Sequence, residues 1–246
     1  MSRRAGIISA LPAEAGCYSG SPLSPGLHTG RAWLIHVCGM GAARAARAAR
    51  ETLQHGAQCL ISWGVAGALA PQLKSGDVIV PRAILMDGKT LPADTALSAA
   101  LQRHWQGAPL HDGPLWHSPA VLARAGEKLA LHARTGAIAV DMESGAIAVV
   151  AAESGAPFLA VRVIVDTQAM TLPTPAVEGV DEYGRVRIGK FLQALCRNPG
   201  GTGSLIALGG AFRRARGRLR ALAPALQAAL AENAQAGACG GGGHGL

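Results

Sequence analysis

Four short, nearly unbroken apolar runs, residues 6–11, 59–65, 137–140 and 158–165, set the terms on which this chain can fold. A strand with one wet face alternates apolar and polar side chains, whereas a strand covered on both faces by helices reads as a continuous run. Residues 33–38 and 77–80 predict two further strands, and 42–55, 119–134 and 144–153 predict helices between them. Strand and helix therefore alternate as in a wound α/β sheet. The expected architecture is a single-domain three-layer αβα fold over residues 1–200, its central mixed, largely parallel sheet flanked by helices. Segment 81–119, rich in Pro, Gly and polar residues, reads as loops with one helix near 94–105. Excursions of that kind often form lids or substrate walls.

With 246 residues, 49% of them hydrophobic and 15% charged, the chain is long and apolar enough to bury one substantial core. The net charge of +8 favours anionic partners but says nothing about fold or chemistry. Cys17, Cys38, Cys59, Cys196 and Cys239 form no C-x-x-C pair and are odd in number. That argues against a disulfide framework or a zinc site and fits a reducing cytoplasm. Arg3 and Arg4 before an apolar stretch, with Cys17 following, imitate a lipoprotein signal, but Pro12 and Glu14 interrupt the run where its core should continue. No stretch approaches the roughly 18 apolar residues of a membrane span. A soluble cytoplasmic protein is expected, with peripheral contact at the inner membrane surface as an option.

That option rests on the C-terminal extension, residues 201–236. Arg213, Arg214, Arg216, Arg218 and Arg220 cluster beside Phe212, Leu219 and Leu222, predicting a basic amphipathic helix with a kink or break at Pro224. Two readings stand. Residues 212–222 lie on an anionic membrane with Phe212 and the leucines in the interface, or the helix packs on the domain and presents a solvated face. Nucleic acid is not expected as a partner, because Phe212 is the sole aromatic among those arginines. The glycine-rich tail, 237–246, reads as disordered.

Candidate chemistry follows from where the acids fall. Glu14 comes just after the first strand, Glu143 sits at a strand–helix junction and Asp166 ends the run 161–166. In a mostly parallel sheet the carboxyl ends of the strands share one rim, and ligands bind in the crevice outside it. Singly, each acid has a plain alternative: solvation for Glu14, the helix dipole for Glu143, a turn cap for Asp166. Together, in a chain with 15 acids, they point to a site. Gly39-Met40-Gly41 and Gly64-Val65-Ala66-Gly67 both follow strands and expose backbone N–H groups to an anion or sugar, although neither completes a dinucleotide or P-loop pattern.

The same residues carry a resemblance. Ala139-Val140-Asp141-Met142-Glu143-Ser144-Gly145-Ala146-Ile147-Ala148, followed by Ala156-Pro157-Phe158 and Val161-Arg162-Val163-Ile164-Val165-Asp166, resembles the signature of the nucleoside phosphorylase and nucleosidase superfamily. Gly6-Ile7-Ile8-Ser9-Ala10-Leu11 with Glu14, and Gly64-Val65-Ala66-Gly67-Ala68-Leu69 with Lys74-Ser75-Gly76-Asp77-Val78, are similar to the methylthioadenosine and S-adenosylhomocysteine nucleosidases. The short middle region, the Leu-Pro after Asp166 and the basic extension look most like the hopanoid-associated branch, which removes adenine from adenosylhopane.

The resemblance implies roles. Cleaving a ribose C1′–N9 bond builds positive charge on the sugar and negative charge on the departing base. Asp166 would be the acid that protonates N7, Glu14 the base that activates water, and Glu143 the acceptor for the ribose hydroxyls, with Met142 against the ribose. Val65, Gly67 and Gly39 would line the substrate, and Trp116 is the candidate purine-stacking residue, with core packing as its alternative. No cofactor and no metal is implied. The partner is a small-molecule adenine nucleoside, lipid-linked in the hopanoid branch, with water or phosphate as acceptor. Because relatives complete their sites across a subunit interface, a homodimer or larger assembly is expected.

Three departures bear on these roles. Phosphorylases carry a hydroxyl residue in the second glycine turn where this chain has Val65, which argues against phosphate there, although Arg44, Arg82 and Arg162 keep phosphorolysis open. The nucleosidases place Ser before the catalytic Asp and a second Asp three residues after it, where this chain has Val165 and Ala169. A less well oriented Asp166 is predicted. A non-catalytic nucleoside-binding module is the alternative of another class.

Overall fold

The computed structural model describes residues 4–173, 181–184 and 202–239. Its centre is β4 (Ala57–Ala68), flanked in parallel by β1 (Arg4–Ser9) and β11 (Phe158–Ile164). Beyond β1 lie β3 (Trp33–Val37), parallel, and β2 (Gly26–Thr29), antiparallel. Beyond β11 lie β5 (Val78–Ile79) and β8 (Leu110–His111). The end of β4 also turns to a second branch: β10 (Ala139–Asp141) pairs antiparallel with Gly67 and Ala68, and β9 (Leu115–His117), β6 (Ala83–Met86) and β7 (Lys89–Pro92) follow in that order.

Helices cover both faces. Pro12 at the first position starts α1 (Pro12–Ser19), where its missing N–H costs nothing. With α3 (Thr95–His104), capped by the Asp94 carboxylate on the Leu97 N–H, and α6 (Thr202–Cys239), it buries one apolar cluster on the sheet. α2 (Ala42–Gln54) and α5 (Ser144–Ser154) bury the other through small side chains such as Ala45, Ala48, Ala49, Ala148 and Ala151. Small residues at these positions let helix and strand backbones approach closely. α4 (Ala125–Thr135) covers the second branch, where Leu131 packs with Leu69, Ala137 and Val140. The result is the mixed three-layer α/β fold that the alternating pattern predicts.

Four expectations need correction. The segment 81–119 is not loops around one helix: it holds β6, β7, β8 and β9 as well as α3, with Asp87-Gly88 forming the two-residue turn between β6 and β7. The helix expected over 119–134 begins only at Ala125, because Ser118 folds onto Ala120 in a local turn and the Glu127 carboxylate accepts from the Arg124 N–H to start the helix there. β4 does not stop at Val65, so the second glycine stretch lies inside a strand rather than in a turn. α6 passes through Pro224 without a break and continues to Cys239, so residues 237–239 are helical, while 240–246 lie outside the described residues.

The apolar side of α6 is also settled. Ala211, Ala215, Leu219, Leu222, Leu226 and Ala229 belong to the same cluster as Trp63 and Val161, and Phe212 packs against it. Leu219 and Leu222 are fully buried and cannot dip into a membrane, whereas Arg213, Arg214 and Arg220 are exposed. No helix among the described residues is long and apolar enough to cross a membrane. Truncating a fully buried leucine typically costs about 2–5 kcal/mol. Leu222→Ala is therefore expected to lower the unfolding free energy by that order, whereas Arg220→Ala leaves it within about 0.5 kcal/mol of wild type; chemical denaturation of both variants checks the contrast.

Candidate active site

The candidate site lies where β4 passes from one branch of the sheet to the other, and two missing Cβ atoms make room for it. A Cβ on Gly64 would lie 2.9 Å from the Glu14 carboxyl, and one on Gly67 would lie 3.0 Å from Asp166 Oδ2. The glycines are strand residues because two carboxyl groups lie directly on the backbone there. Glu14 arrives from the first turn of α1. Its Oε2 accepts from Ser9 Oγ and the Leu11 N–H, each at 3.1 Å, and its Oε1 accepts from the Val65 N–H at 3.0 Å. Trp63 Nε1 donates to the Glu14 carbonyl at 3.0 Å and pins the helix from below. Asp166 comes from the residues after β11, where Ala68 N–H donates to its carbonyl at 2.8 Å and holds it over Gly67.

Glu143 enters from the third side, at the residue before α5. Its Oε1 accepts from the Gly41 N–H at 2.7 Å, which joins the first glycine turn to the signature segment across 102 residues. The segment is set by a buried polar network beneath it. Arg162 Nε donates to Asp141 Oδ2 at 2.8 Å, and Arg162 Nη2 donates to Ser144 Oγ at 3.0 Å and also reaches Ser62 Oγ. The Ser144 N–H donates to both Asp141 oxygens. Arg162 is 3% exposed and Asp141 6%, so charge and hydrogen bonds are satisfied internally.

Burial raises all three acids of the site above the ordinary carboxylate range. For Glu14, desolvation outweighs the nearby Arg162 and the Val65, Leu11 and Ser9 donors. For Glu143, desolvation and then the Asp141 charge push the value up to about 7, against Gly41 and Arg162. For Asp166, desolvation outweighs Lys128, whose Nζ donates to Asp166 Oδ2. Carboxyls tuned upward in a cleft are suited to move protons near neutral pH.

The structure thus brings Glu14, Glu143 and Asp166 around one strand end, with partly exposed Val65, Gly67 and Met142 among them. Gly39 is buried, and its N–H donates to the Ala10 carbonyl. Trp116 is partly exposed, its ring against the Leu131 and Val140 cluster with the Arg134 guanidinium 5.8 Å from its centroid. Lys128, Asp141, Ser144 and Ser62 escaped the sequence reading as parts of the site. Lys128 alone left a signal, since it falls three residues before the buried Leu131, on the face of α4 that meets the sheet.

The anion-binding capacity expected of the glycine stretches is spent internally. The Val65 N–H serves Glu14, the Gly41 N–H serves Glu143, and the Met40 N–H donates to the Glu182 carbonyl. Arg162 is enclosed in its network, and Arg44 lies 3.7 Å from Glu182. Among the described residues no cluster of His, Cys, Asp and Glu has a metal-holding arrangement.

Solved structures with this fold include the 5′-methylthioadenosine/S-adenosylhomocysteine nucleosidase of Neisseria meningitidis in complex with methylthio-immucillin-A. Its TM-score is 0.69 at 16% identity, covering 92% of this chain and 98% of that one. A mutant of the Helicobacter pylori enzyme of the same name, with 5′-methylthioadenosine in its active site, gives 0.64 at 19% identity, covering 80% and 99%. Futalosine hydrolase of Helicobacter pylori gives 0.61 at 20% identity, covering 68% and 88%. No curated protein matches the chain in sequence. The family model of the phosphorylase superfamily matches residues 12–197, a span that contains Glu14, Glu143 and Asp166 and every strand from β2 to β11, and the chain belongs to that superfamily.

Proposed function

We propose that this protein hydrolyses the N-glycosidic bond of an adenine nucleoside and releases adenine. The observation that carries the reading is the gathering of Glu14, Glu143 and Asp166 at the end of β4, each with its carboxyl tuned upward. Asp166 gives its proton to N7 as the C1′–N9 electron pair leaves with the base. Glu14 takes a proton from the water that attacks C1′. Glu143 accepts from the ribose hydroxyls and places negative charge beside the developing oxocarbenium ion. Met142 packs on the ribose, and Val65, Gly67 and Gly39 frame the site. The solved neighbours that bind methylthioadenosine and its analogues support an adenine nucleoside as substrate.

Water is favoured over phosphate as the acceptor for an electrostatic reason. The amides that would cradle an anion are already taken by Glu14 and Glu143. Two like charges about 4 Å apart repel by about 4 kcal/mol at an effective dielectric of about 20. A phosphate beside ionised Glu14 meets that repulsion, and the Val65 and Gly41 amides are not free to offset it. The 5′ substituent we assign is a large apolar group, with adenosylhopane as the first candidate and ribosylhopane as its product. The resemblance of the middle region, of the Leu-Pro after Asp166 and of the basic extension supports it. The exposed Arg213, Arg214 and Arg220 suit an anionic lipid surface without insertion, and a homo-oligomer remains part of the proposal.

Mass spectrometry of the products from adenosylhopane, with and without phosphate, tests substrate and acceptor together. Free adenine and ribosylhopane at a phosphate-independent rate are expected, a ribose 1-phosphate product overturns hydrolysis, and bound but intact nucleoside, with methylthioadenosine also intact, indicates a binding module. Asp166→Asn and Glu14→Gln are each expected to lower kcat by about 10²- to 10⁴-fold while nucleoside affinity is kept; retained turnover in either rejects the role of that group. Glu143 can accept from both ribose hydroxyls through both oxygens when it is a carboxylate and gives up part of that capacity when protonated, so KM is expected to rise as pH falls through about 7, and Glu143→Gln is expected to weaken both binding and turnover. Its raised value also means that ionisation opposes folding: stability linked to Glu143 is present below the unfolded value of 4.5 and lost as pH rises through about 7. Thermal unfolding is therefore expected to show Glu143→Gln more stable than wild type at pH 8, the difference closing in acid.

A further inference from the structure

Lys128 is fully buried in the first half of α4, a position where an unpartnered ammonium is strongly unfavourable. All three of its donors are used. Nζ donates to Asp166 Oδ2, to the Thr167 carbonyl at 3.1 Å and to the Met170 carbonyl at 2.8 Å. Two neutral carbonyls and one carboxyl oxygen form an acceptor set that matches the three donors of an ammonium. A purely structural lysine would tie the residues after β11 to α4 through the carbonyls alone. Here the third donor is spent on Asp166, whose preceding residue, Val165, and third following residue, Ala169, carry no hydrogen-bonding side chain.

The charges of the crevice are divided accordingly. Arg162, from β11, acts on Glu14 of α1 and on Glu143 before α5, and it pairs with Asp141 of β10. Asp166 has Lys128 of α4 as its cation, and β4 meets it with Gly67, which carries no charge.

Building on the nucleosidase reading, we propose that Lys128 is the positioning residue of the leaving-group acid. Its ammonium clamps Oδ2 of Asp166, leaves Oδ1 to carry the proton, and stabilises the carboxylate left when that proton has gone. In the step, the Asp166 O–H bond breaks, the N7–H bond forms, the C1′–N9 pair passes to adenine, and Lys128 keeps its three protons throughout. The two influences on Asp166 then have distinct uses. Burial favours the protonated acid, and Lys128 favours the carboxylate that remains once the proton has gone.

Lys128→Met and Lys128→Gln in the full chain test this, the glutamine keeping an amide donor for the Thr167 and Met170 carbonyls should the methionine variant fail to fold. Loss of a neighbouring cation raises a carboxyl by about 1–3 pH units. The basic limb of the kcat/KM profile for adenine release is therefore expected to move up by that amount, with kcat at neutral pH falling at least about 10-fold and KM little changed. A limb that stays in place overturns the proposal, whatever happens to the rate. A readout without turnover accompanies it: the Asp166 carboxyl titration by 13C NMR, assigned through Asp166→Asn, is expected to shift upward in Lys128→Gln. An unchanged titration overturns the hold of Lys128 on Asp166. If wild type releases no adenine, the nucleosidase reading falls and the role in leaving-group chemistry with it, while the titration still decides whether Lys128 controls the carboxyl.

Discussion

The buried pair of Arg162 and Asp141 is the constraint on which the crevice depends. A guanidinium and a carboxylate taken out of water cost several kcal/mol each unless their attraction and their remaining hydrogen bonds are all realised. Here they are, because Ser62 from β4 and Ser144 from α5 take the remaining polar positions. Four elements thereby meet at one point, where β4 turns from the branch holding β11 to the branch holding β10. Breaking a buried pair from one side typically costs about 3–5 kcal/mol, so the junction resists shear between the branches. Glu143 lies between Asp141 and Ser144 and takes its direction from both.

A second consequence is electrostatic. Three acids share the rim, and two buried cations, Arg162 and Lys128, hold them at values raised by burial but not without limit. Such an arrangement is not optimal for folding. Each ionised carboxyl in the crevice opposes the folded state as pH rises, and the core must offset that opposition. The apolar clusters on both faces of the sheet, extended by α6 across the face that also holds α1 and α3, supply the necessary burial. The long C-terminal helix is thus coupled to the site through stability, since it packs on α1, which carries Glu14.

Much of this was legible in the residues. Continuous apolar runs gave the parallel centre of the sheet, and acids at strand ends gave the rim, because both follow from period and topology. Glycine was harder. Gly64 and Gly67 read as a turn since glycine usually marks one, whereas their reason is a carboxyl lying on a strand backbone, a contact between distant segments. Asp87-Gly88 is the opposite case, a hairpin signal present in the sequence and hidden by the polar character of its surroundings. The amphipathic pattern of residues 212–222 serves a membrane face and a core face equally well, and only the presence of an uncovered sheet surface decides between them. Lys128 carries no sign in the sequence of the partner it meets, which lies 38 residues away.

The Val65 amide shows how little need separate an anion site from its opposite within this fold. A bare N–H at the end of a central strand can hold phosphate or a side-chain carboxylate, but not both, because the two carry the same charge and need the same donor. In this chain α1 is close enough, and Ser9 and Leu11 supply enough further donors, for Glu14 to win that position from within the molecule. An internal carboxylate pays little entropy to be there, since the helix start fixes it, whereas an external anion must be recruited and then desolvated. On the proposed reading, the group that occupies the amide is also the base that activates water, so one side chain excludes the competing acceptor and serves the chosen one.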